Sequence, residues 1–297
     1  TYMDNLNASG RWIGNANLNI LENGNIPFAW SNQIVLLDGD TGQILKHNTL
    51  PSGAAPAADV NYKHLTIAPD HTLIIKDQTR PAGCKLQGTV AIIKCTAEGM
   101  KQPNSQLVAV DPNTLEILDS IELPEPATSP HSVTLFEGRI TIYVAMDTTV
   151  QRAFWDPATK KLTLDPNWIM KAMAEGQTAA TAATIHGDWI AVVTNGIGSE
   201  KMPSSLVVAH QKGAKNMKTL FPFGKELHKG EWSFAMPKPG GDFENGMLYI
   251  ADMGLRKVAG AKINPNSGEL TTAFVIDHTT TGFQPLIGPK DKRVLLL

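Results

Sequence analysis

One short motif returns along this chain and constrains everything else. An apolar residue, then Asp or Asn, a turn, Thr or Ser, and an apolar strand recur at four places. They are Leu37-Asp38-Gly39-Asp40-Thr41-Gly42-Gln43-Ile44, Val110-Asp111-Pro112-Asn113-Thr114-Leu115-Glu116-Ile117, Trp155-Asp156-Pro157-Ala158-Thr159-Lys160-Lys161-Leu162 and Ile263-Asn264-Pro265-Asn266-Ser267-Gly268-Glu269-Leu270. Asx, Pro and Gly at these offsets set a tight turn between antiparallel strands. The starts, at 37, 110, 155 and 263, lie 73, 45 and 108 residues apart. The longest interval halves to 54, and a degenerate copy, Ala209-His210-Gln211-Lys212-Gly213, sits at its middle. The first interval is one period plus an insertion of roughly 25 residues, a period of about 45–54 residues being that of a four-stranded repeat.

A second repeat lies upstream in each unit. Strand, turn and strand recur around Asn23-Gly24, Asp70-His71, Glu137-Gly138, His186-Gly187 and Asn245-Gly246. Asn-Gly between alternating apolar residues is a hairpin signal. Each unit therefore offers four strands, A and B around this turn, C and D around the Asx turn. That is the blade of a β-propeller. The expected fold is all-β, a propeller of four-stranded antiparallel blades in a single domain over 1–297. Blades run roughly 14–60, 61–126, 127–175, 176–226 and 227–277, with a partial one at 281–297 and a hairpin insertion at about 79–104. Pro166 to Glu175 reads as a short helix between blades. The chain stops inside the apolar run Val294-Leu295-Leu296-Leu297. About six blades are thus visible, and the expectation is a natural protein that continues, with seven or eight blades in all.

The texture of these units resembles the PQQ-like and NHL/SMP-30 groups of propellers, which include gluconolactonase-like proteins. "MLYIADMGLRKVAGAKINPNSGEL" at 247–270 and "QLVAVDPNTLEILDSIELPEP" at 106–126 carry the likeness. The resemblance implies the fold; the groups hold lactonases, phosphotriesterases, lyases, dehydrogenases and binding scaffolds. Quinone-dependent members carry a recurrent Trp docking motif in each blade. Trp12, Trp30, Trp155, Trp168, Trp189 and Trp232 do not recur at one blade position, so a quinone cofactor is not expected.

In a propeller the innermost strand of each blade lines a central channel, so equivalent residues of successive blades converge. Six residues before each A–B turn stand Asn17, His64, His131 and Ala180. Blade five has a longer hairpin, with Glu231 and Trp232 nearby, and the sixth offers Gln284. At the ends of the B strands stand Asp77, Asp147, Asn195 and Asp252. The expected site pairs His64 and His131 as catalytic acid and base. Asp77, Asp147, Asp252 and Glu231 would hold a divalent metal, calcium, or copper or zinc if the histidines ligate. Asn17, Asn195, Trp232 and Gln284 would bind substrate. The competing reading is structural: an Asp at a turn bonds its own backbone, and an inner-strand His hydrogen-bonds a neighbouring blade. His71 and His186 are expected in turns on the opposite face, and His47, His210, His228 and His278 at the surface.

Charge narrows the partners. Twenty-six basic and 28 acidic residues leave a net charge of −2, without the basic stripe that nucleic acid requires. No apolar run reaches the ~18 residues of a membrane span. The two cysteines, Cys84 and Cys95, are close enough to clip a local loop, a device of oxidising compartments. GxSxG, HExxH and P-loop motifs are absent from the sequence. The function expected is a secreted or periplasmic enzyme, of hydrolase or lyase type, acting on a small molecule or glycan at the channel mouth. The alternatives are a non-catalytic propeller that binds a ligand or protein, and a copper- or quinone-dependent oxidoreductase.

Overall fold

The computed structural model describes residues 19–55, 60–85, 95–96, 98–127, 131–175, 177, 180–194, 202–227, 235–238, 247–252, 255–277, 285–287 and 294–296. Among the described residues the elements are strands, apart from two helical residues at 95–96. The first sheet holds β1 (Ile26–Trp30), β2 (Gln33–Leu37) and β3 (Ile44–Thr49) in that order. The second holds β4 (Tyr62–Ile67), β5 (Leu73–Asp77), β6 (Gln106–Val110) and β7 (Ile117–Glu122). The third holds β8 (His131–Phe136), β9 (Arg139–Ala145), β10 (Val150–Asp156) and β11 (Lys161–Met170). The fourth holds β12 (Ala180–His186), β13 (Trp189–Thr194), β14 (Ser205–His210) and β15 (Gly213–Leu220). The fifth holds β16 (Ala235–Lys238), β17 (Met247–Asp252), β18 (Lys257–Ile263) and β19 (Leu270–Asp277), and β20 (Pro285–Ile287) pairs with β21 (Val294–Leu296). Strands pair antiparallel with their neighbours in sequence.

The middle strands are near-continuous apolar runs because both of their faces are covered. β5, β6 and β13 are buried at every residue. The outer strands read differently: β3 and β19 are exposed along almost their whole length and carry Thr, Asn, Lys or Asp.

The recurrent turns joining the last two strands of a sheet are built alike. The Asx side chain caps the turn by accepting backbone N–H groups two and three residues on. Asp38 Oδ1 accepts from Asp40 N at 3.1 Å and Thr41 N at 2.8 Å. Asp111 Oδ1 accepts from Asn113 N at 2.9 Å and Thr114 N at 2.8 Å, and Asn264 Oδ1 from Asn266 N at 2.9 Å and Ser267 N at 3.1 Å. In the third sheet Asp156 accepts from Ala158 N and from the Thr159 hydroxyl. The amides of Thr41 hold the Asp38 carboxyl below its usual range, and the hydroxyl of Thr159 does the same for Asp156. The fifth turn residue is left-handed in all four, with φ of 69° at Gly42, 62° at Leu115, 53° at Lys160 and 70° at Gly268. Glycine takes this conformation without steric cost, and other residues do not. Leu115 has a reason to be there, since its side chain is fully buried in the core. Lys160 is exposed.

The chain divides into two compact units. The first comprises Thr1–Thr128, Val133–Thr141 and Phe154–Thr163, and the second Ser129–Ser132, Ile142–Ala153 and Leu164–Leu297. The core of the first gathers Ile34, Tyr62, Leu73, Ile75, Val108, Val110 and Leu115. Its sheets are tied by Asn48 Nδ2 donating to Leu115 O at 2.8 Å and Trp155 Nε1 donating to Asp70 Oδ2 at 2.8 Å. Within the second, Tyr143, Trp168, Ile190, Val192 and Val207 form one apolar cluster, and Ala191, Val193, Ile250 and Ala259 belong to another. Arg152 links elements there, donating through Nε to Asp165 Oδ2 at 2.8 Å and through Nη1 to Gln211 O at 2.7 Å.

The expected helix over Pro166–Glu175 is not formed. Residues through Met170 continue β11, because Trp168 and Met170 alternate with exposed neighbours and are buried. Trp168 Nε1 also donates to His210 O at 3.1 Å, and Pro166 is tolerated on an outer strand. His186 is likewise the last residue of β12, opposite Trp189, with Gly187-Asp188 as the turn.

The left-handed turn position yields a paired prediction. Lys160→Gly relieves backbone strain without losing packing and should raise stability by up to about 1 kcal/mol. Leu115→Gly also empties a core site and should lower it by about 2–5 kcal/mol. Denaturant midpoints of the two variants should move in opposite directions; a shift in the same direction would show the turn geometry to be misread.

Candidate functional site

In the first unit, the end of the second sheet gathers polar side chains in an apolar setting. His64 is 4% exposed, and Lys76 and Asp77 have no exposed surface. They meet because β4 and β5 pair Tyr62 with Asp77 and His64 with Lys76, with a bulge between Tyr62 and His64. Directly opposed residues share a face of the sheet, so His64 and Lys76 lie side by side.

Each charge there has a defined partner. Lys76 Nζ donates to Ala127 O at 2.6 Å. Asp77 Oδ1 accepts the Gln106 amide at 2.5 Å, joining the end of β5 to the start of β6 across the long insertion. Ser105 adds a second tie, its hydroxyl accepting from Ala127 N at 2.8 Å. The stem of the insertion is closed by Thr79 Oγ1 donating to Pro103 O at 2.6 Å and Gln102 Nε2 donating to Thr79 O at 2.7 Å. Further out, Cys84 and Cys95 are joined by a disulfide and pack with Met100. Burial pushes the Asp77 carboxyl up to about 7, against the opposing pull of the Gln106 amide and the Lys76 ammonium. Burial also raises the Tyr62 hydroxyl beside it, whose oxygen donates to Pro51 O at 2.5 Å.

In the second unit His131 opens β8 and is 4% exposed. Ser132 next to it donates to Ala183 O. Asp252 ends β17, fully buried, where Oδ1 accepts Leu255 N at 2.9 Å and Oδ2 accepts the Ser204 hydroxyl at 3.1 Å. Asp147 is not at a strand end. It lies half-buried in the two-residue turn between β9 and β10, where Met146 N donates to Thr149 O at 2.8 Å. Thr194 stands at the end of β13, its hydroxyl 2.5 Å from that of Ser205. His186, buried at the end of β12, has its pKa lowered by that burial.

Asn17, Asn195, Glu231, Trp232 and Gln284 lie outside the described residues, as do His228 and His278. Among the described residues, no three His, Cys, Asp or Glu side chains gather closely enough to hold a metal ion. Asp77 and Asp252 do share one role: each ends a second strand and accepts a backbone amide from the loop or strand that follows. Sequence reasoning passed over Lys76. The signal was present, a charged residue breaking the apolar run Leu73-Ile74-Ile75.

No protein-family model matches the sequence, and no curated protein matches it. Solved structures do. A functionally unknown protein from Desulfotomaculum acetoxidans superposes with a TM-score of 0.56 at 13% identity, over 94% of this chain and 74% of that one. A protein from Lactobacillus plantarum gives 0.59 at 11%, over 88% and 70%. BamB from Moraxella catarrhalis, a propeller, gives 0.51 at 13%, over 91% and 66%. At such identities the likeness speaks for the fold alone. That fold is a β-propeller of four-stranded antiparallel blades. No helix among the described residues is long and apolar enough to cross a membrane.

Asp77 gives a pH prediction. A carboxyl whose folded pKa is raised above the unfolded value, 3.8, favours the fold below pH 3.8 and loses that contribution as pH climbs through about 7. Asp77→Asn keeps an acceptor for the Gln106 amide and carries no charge. Its stability relative to the native protein should rise between pH 4 and pH 7.5, by on the order of a few kcal/mol, then level off. A difference that does not change with pH would contradict a buried, titrating Asp77.

Proposed function

We propose that this chain is a secreted or periplasmic propeller that acts by binding a protein partner. The observation that carries the reading is the use made of its inner carboxylates. Asp77 accepts the Gln106 amide and Asp252 the Leu255 amide, so each of these carboxylates is engaged by the backbone. The Cys84–Cys95 bridge supports an oxidising compartment. The blade architecture is shared with BamB, and such a fold serves as a binding scaffold as readily as an enzyme.

Turnover tests this reading. The purified protein is assayed against lactones, phosphotriesters and glycans beside His64→Ala and His131→Ala. The binding reading expects no turnover that depends on either histidine. Activity lost in both variants, with circular dichroism unchanged, would replace it with an enzyme.

One observation favours that second reading: Asp77, raised to about 7, sits in the strand pair that holds His64 and would serve as an acid or base near neutrality. In this enzyme His64 works on a small molecule or glycan. Asp77 and His64, on the same strand pair, would hold calcium, copper or zinc there. Elemental analysis after dialysis separates the two readings. Stoichiometric metal lost in the Asp77→Ala or His64→Ala variant belongs to the enzyme, and sub-stoichiometric metal unchanged by either belongs to the scaffold.

The compartment has its own check. Protein taken from its natural source, unfolded without reductant and alkylated, should leave Cys84 and Cys95 unmodified. Alkylation of both would place the chain in a reducing compartment.

A further inference from the structure

The fourth sheet departs from the repeat in a way that builds a groove. Where the last two strands pair, the first, second and fifth sheets each carry a bulge. There the register slips between Leu36 and Leu37, between Ala109 and Val110, and between Gly260 and Ala261. In each, the partners shift by a single extra residue on the outer strand: Lys46 then Ile44, Asp119 then Ile117, Phe274 then Thr272. The fourth sheet differs. Val208 pairs with Lys218 and His210 with Gly213, so Ala209 alone on β14 stands against Ala214, Lys215, Asn216 and Met217 on β15. The Asx turn is correspondingly cut to Gln211-Lys212. Residues that form a turn in the other blades form an enlarged bulge here, and a bulge re-aims side chains.

The residues it displaces line a cavity of about 780 Å³. Lys215, Asn216, Met217 and Lys218 come from the bulge, Trp189, His210 and Lys212 from beside it, and Ser267 from the turn of the fifth sheet. Three lysines converge there in a chain of net charge −2. One carboxylate is already received: Lys218 Nζ lies 2.6 Å from Glu269 Oε1. His210 Nδ1 accepts the Lys212 amide at 3.0 Å, which leaves Nε2 as the hydrogen-bearing nitrogen of the neutral ring. The floor is rigid. Trp189 Nε1 donates to Pro265 O at 2.8 Å, and Gly268 packs so close to the ring that a Cβ would stand 2.4 Å from it.

Lysines on an outer strand also deter edge-to-edge pairing. That role would space them along the strand; here an enlarged bulge, a shortened turn and the neighbouring blade bring them around one cavity.

We propose that this groove is the docking site for an acidic, extended segment of a protein partner, whose carboxylates meet Lys212, Lys215 and Lys218 while an apolar side chain rests against Trp189 and Met217. Charge complementarity selects the occupant, and Glu269 occupies one lysine in its absence. The inference rests on the binding reading given above and names the partner's chemistry.

The test uses the full chain and a fluorescent octapeptide of alternating Glu and Phe, with its Gln-for-Glu counterpart as control. The Glu peptide should bind at least tenfold more tightly, and its affinity should fall as salt is raised. Combined Lys212→Gln, Lys215→Gln and Lys218→Gln should remove at least tenfold of that affinity. Glu269→Gln, which releases Lys218, should tighten binding several-fold, a gain that misfolding cannot imitate. Equal binding of both peptides, or a Glu269→Gln variant that binds no better, overturns the groove. So does tighter binding of heparin or of phosphatidylglycerol vesicles than of the peptide, lost in the triple variant, because the occupant is then a glycan or a lipid surface. Failure of the peptide leaves the binding reading standing, since only histidine-dependent turnover or a stoichiometric metal removes it.

Discussion

A tight reversal leaves amides without strand partners, and although water reaches them in an exposed turn, a fixed side-chain acceptor is needed to hold the turn in one geometry. In this protein a single side-chain oxygen meets that need at each of the four Asx turns. Asp38, Asp111, Asp156 and Asn264 stand at equivalent positions and accept the amides of the residues that follow. The backbone closes the same loops behind them, Asp38 N donating to Gln43 O, Asp111 N to Glu116 O and Asn264 N to Glu269 O. The turns fix where each outer strand begins, and so which of its residues face the core. They also explain why residues as different as Gly42, Leu115, Lys160 and Gly268 share one backbone conformation.

The same economy appears at the opposite ends of the strands. Asp77 and Asp252 hold an amide across the junction between the second and third strands, as the Asx residues do across the next one. Where Asp77 must bridge the stem of a long insertion, Ser105, Thr79, Gln102 and Lys76 add further ties, and the Cys84–Cys95 bridge closes the insertion beyond them. Polar residues deep in a blade are thus part of its wiring. The enlarged bulge of β15 is a different case: there the repeat is broken and three lysines gather around one cavity.

What could be read from the residues follows from this division. The Asx turns were legible because their chemistry is local: an acceptor, a Pro or Gly and a hydroxyl at fixed offsets suffice, and the fold class came with them. The strand β11 was not legible, since Pro166 and a short mixed run favour a helix start, while the decision rests with Trp168, whose indole is fixed by His210 O in another strand. Asp77 and Asp252 were placed correctly at strand ends, but their partners, Gln106 and Leu255, depend on register and loop path. Asp147 has the same spacing and falls in a turn because Met146 and Thr149 close a two-residue hairpin. The groove beside β15 appeared only as a degenerate copy of the repeat; that the missing turn residues had become a bulge is a matter of pairing.

The central claim is that the inner carboxylates serve the backbone. Hydrogen exchange at the amides of Gln106 and Leu255 tests it most directly, read in the native protein and in Asp77→Ala and Asp252→Ala. The account predicts that both amides exchange slowly in the native protein, at rates approaching those of adjacent strand amides. Each should be exposed selectively by its own substitution, Gln106 in Asp77→Ala and Leu255 in Asp252→Ala. Fast exchange at both positions in the native protein would contradict it, leaving those carboxylates for chemistry instead.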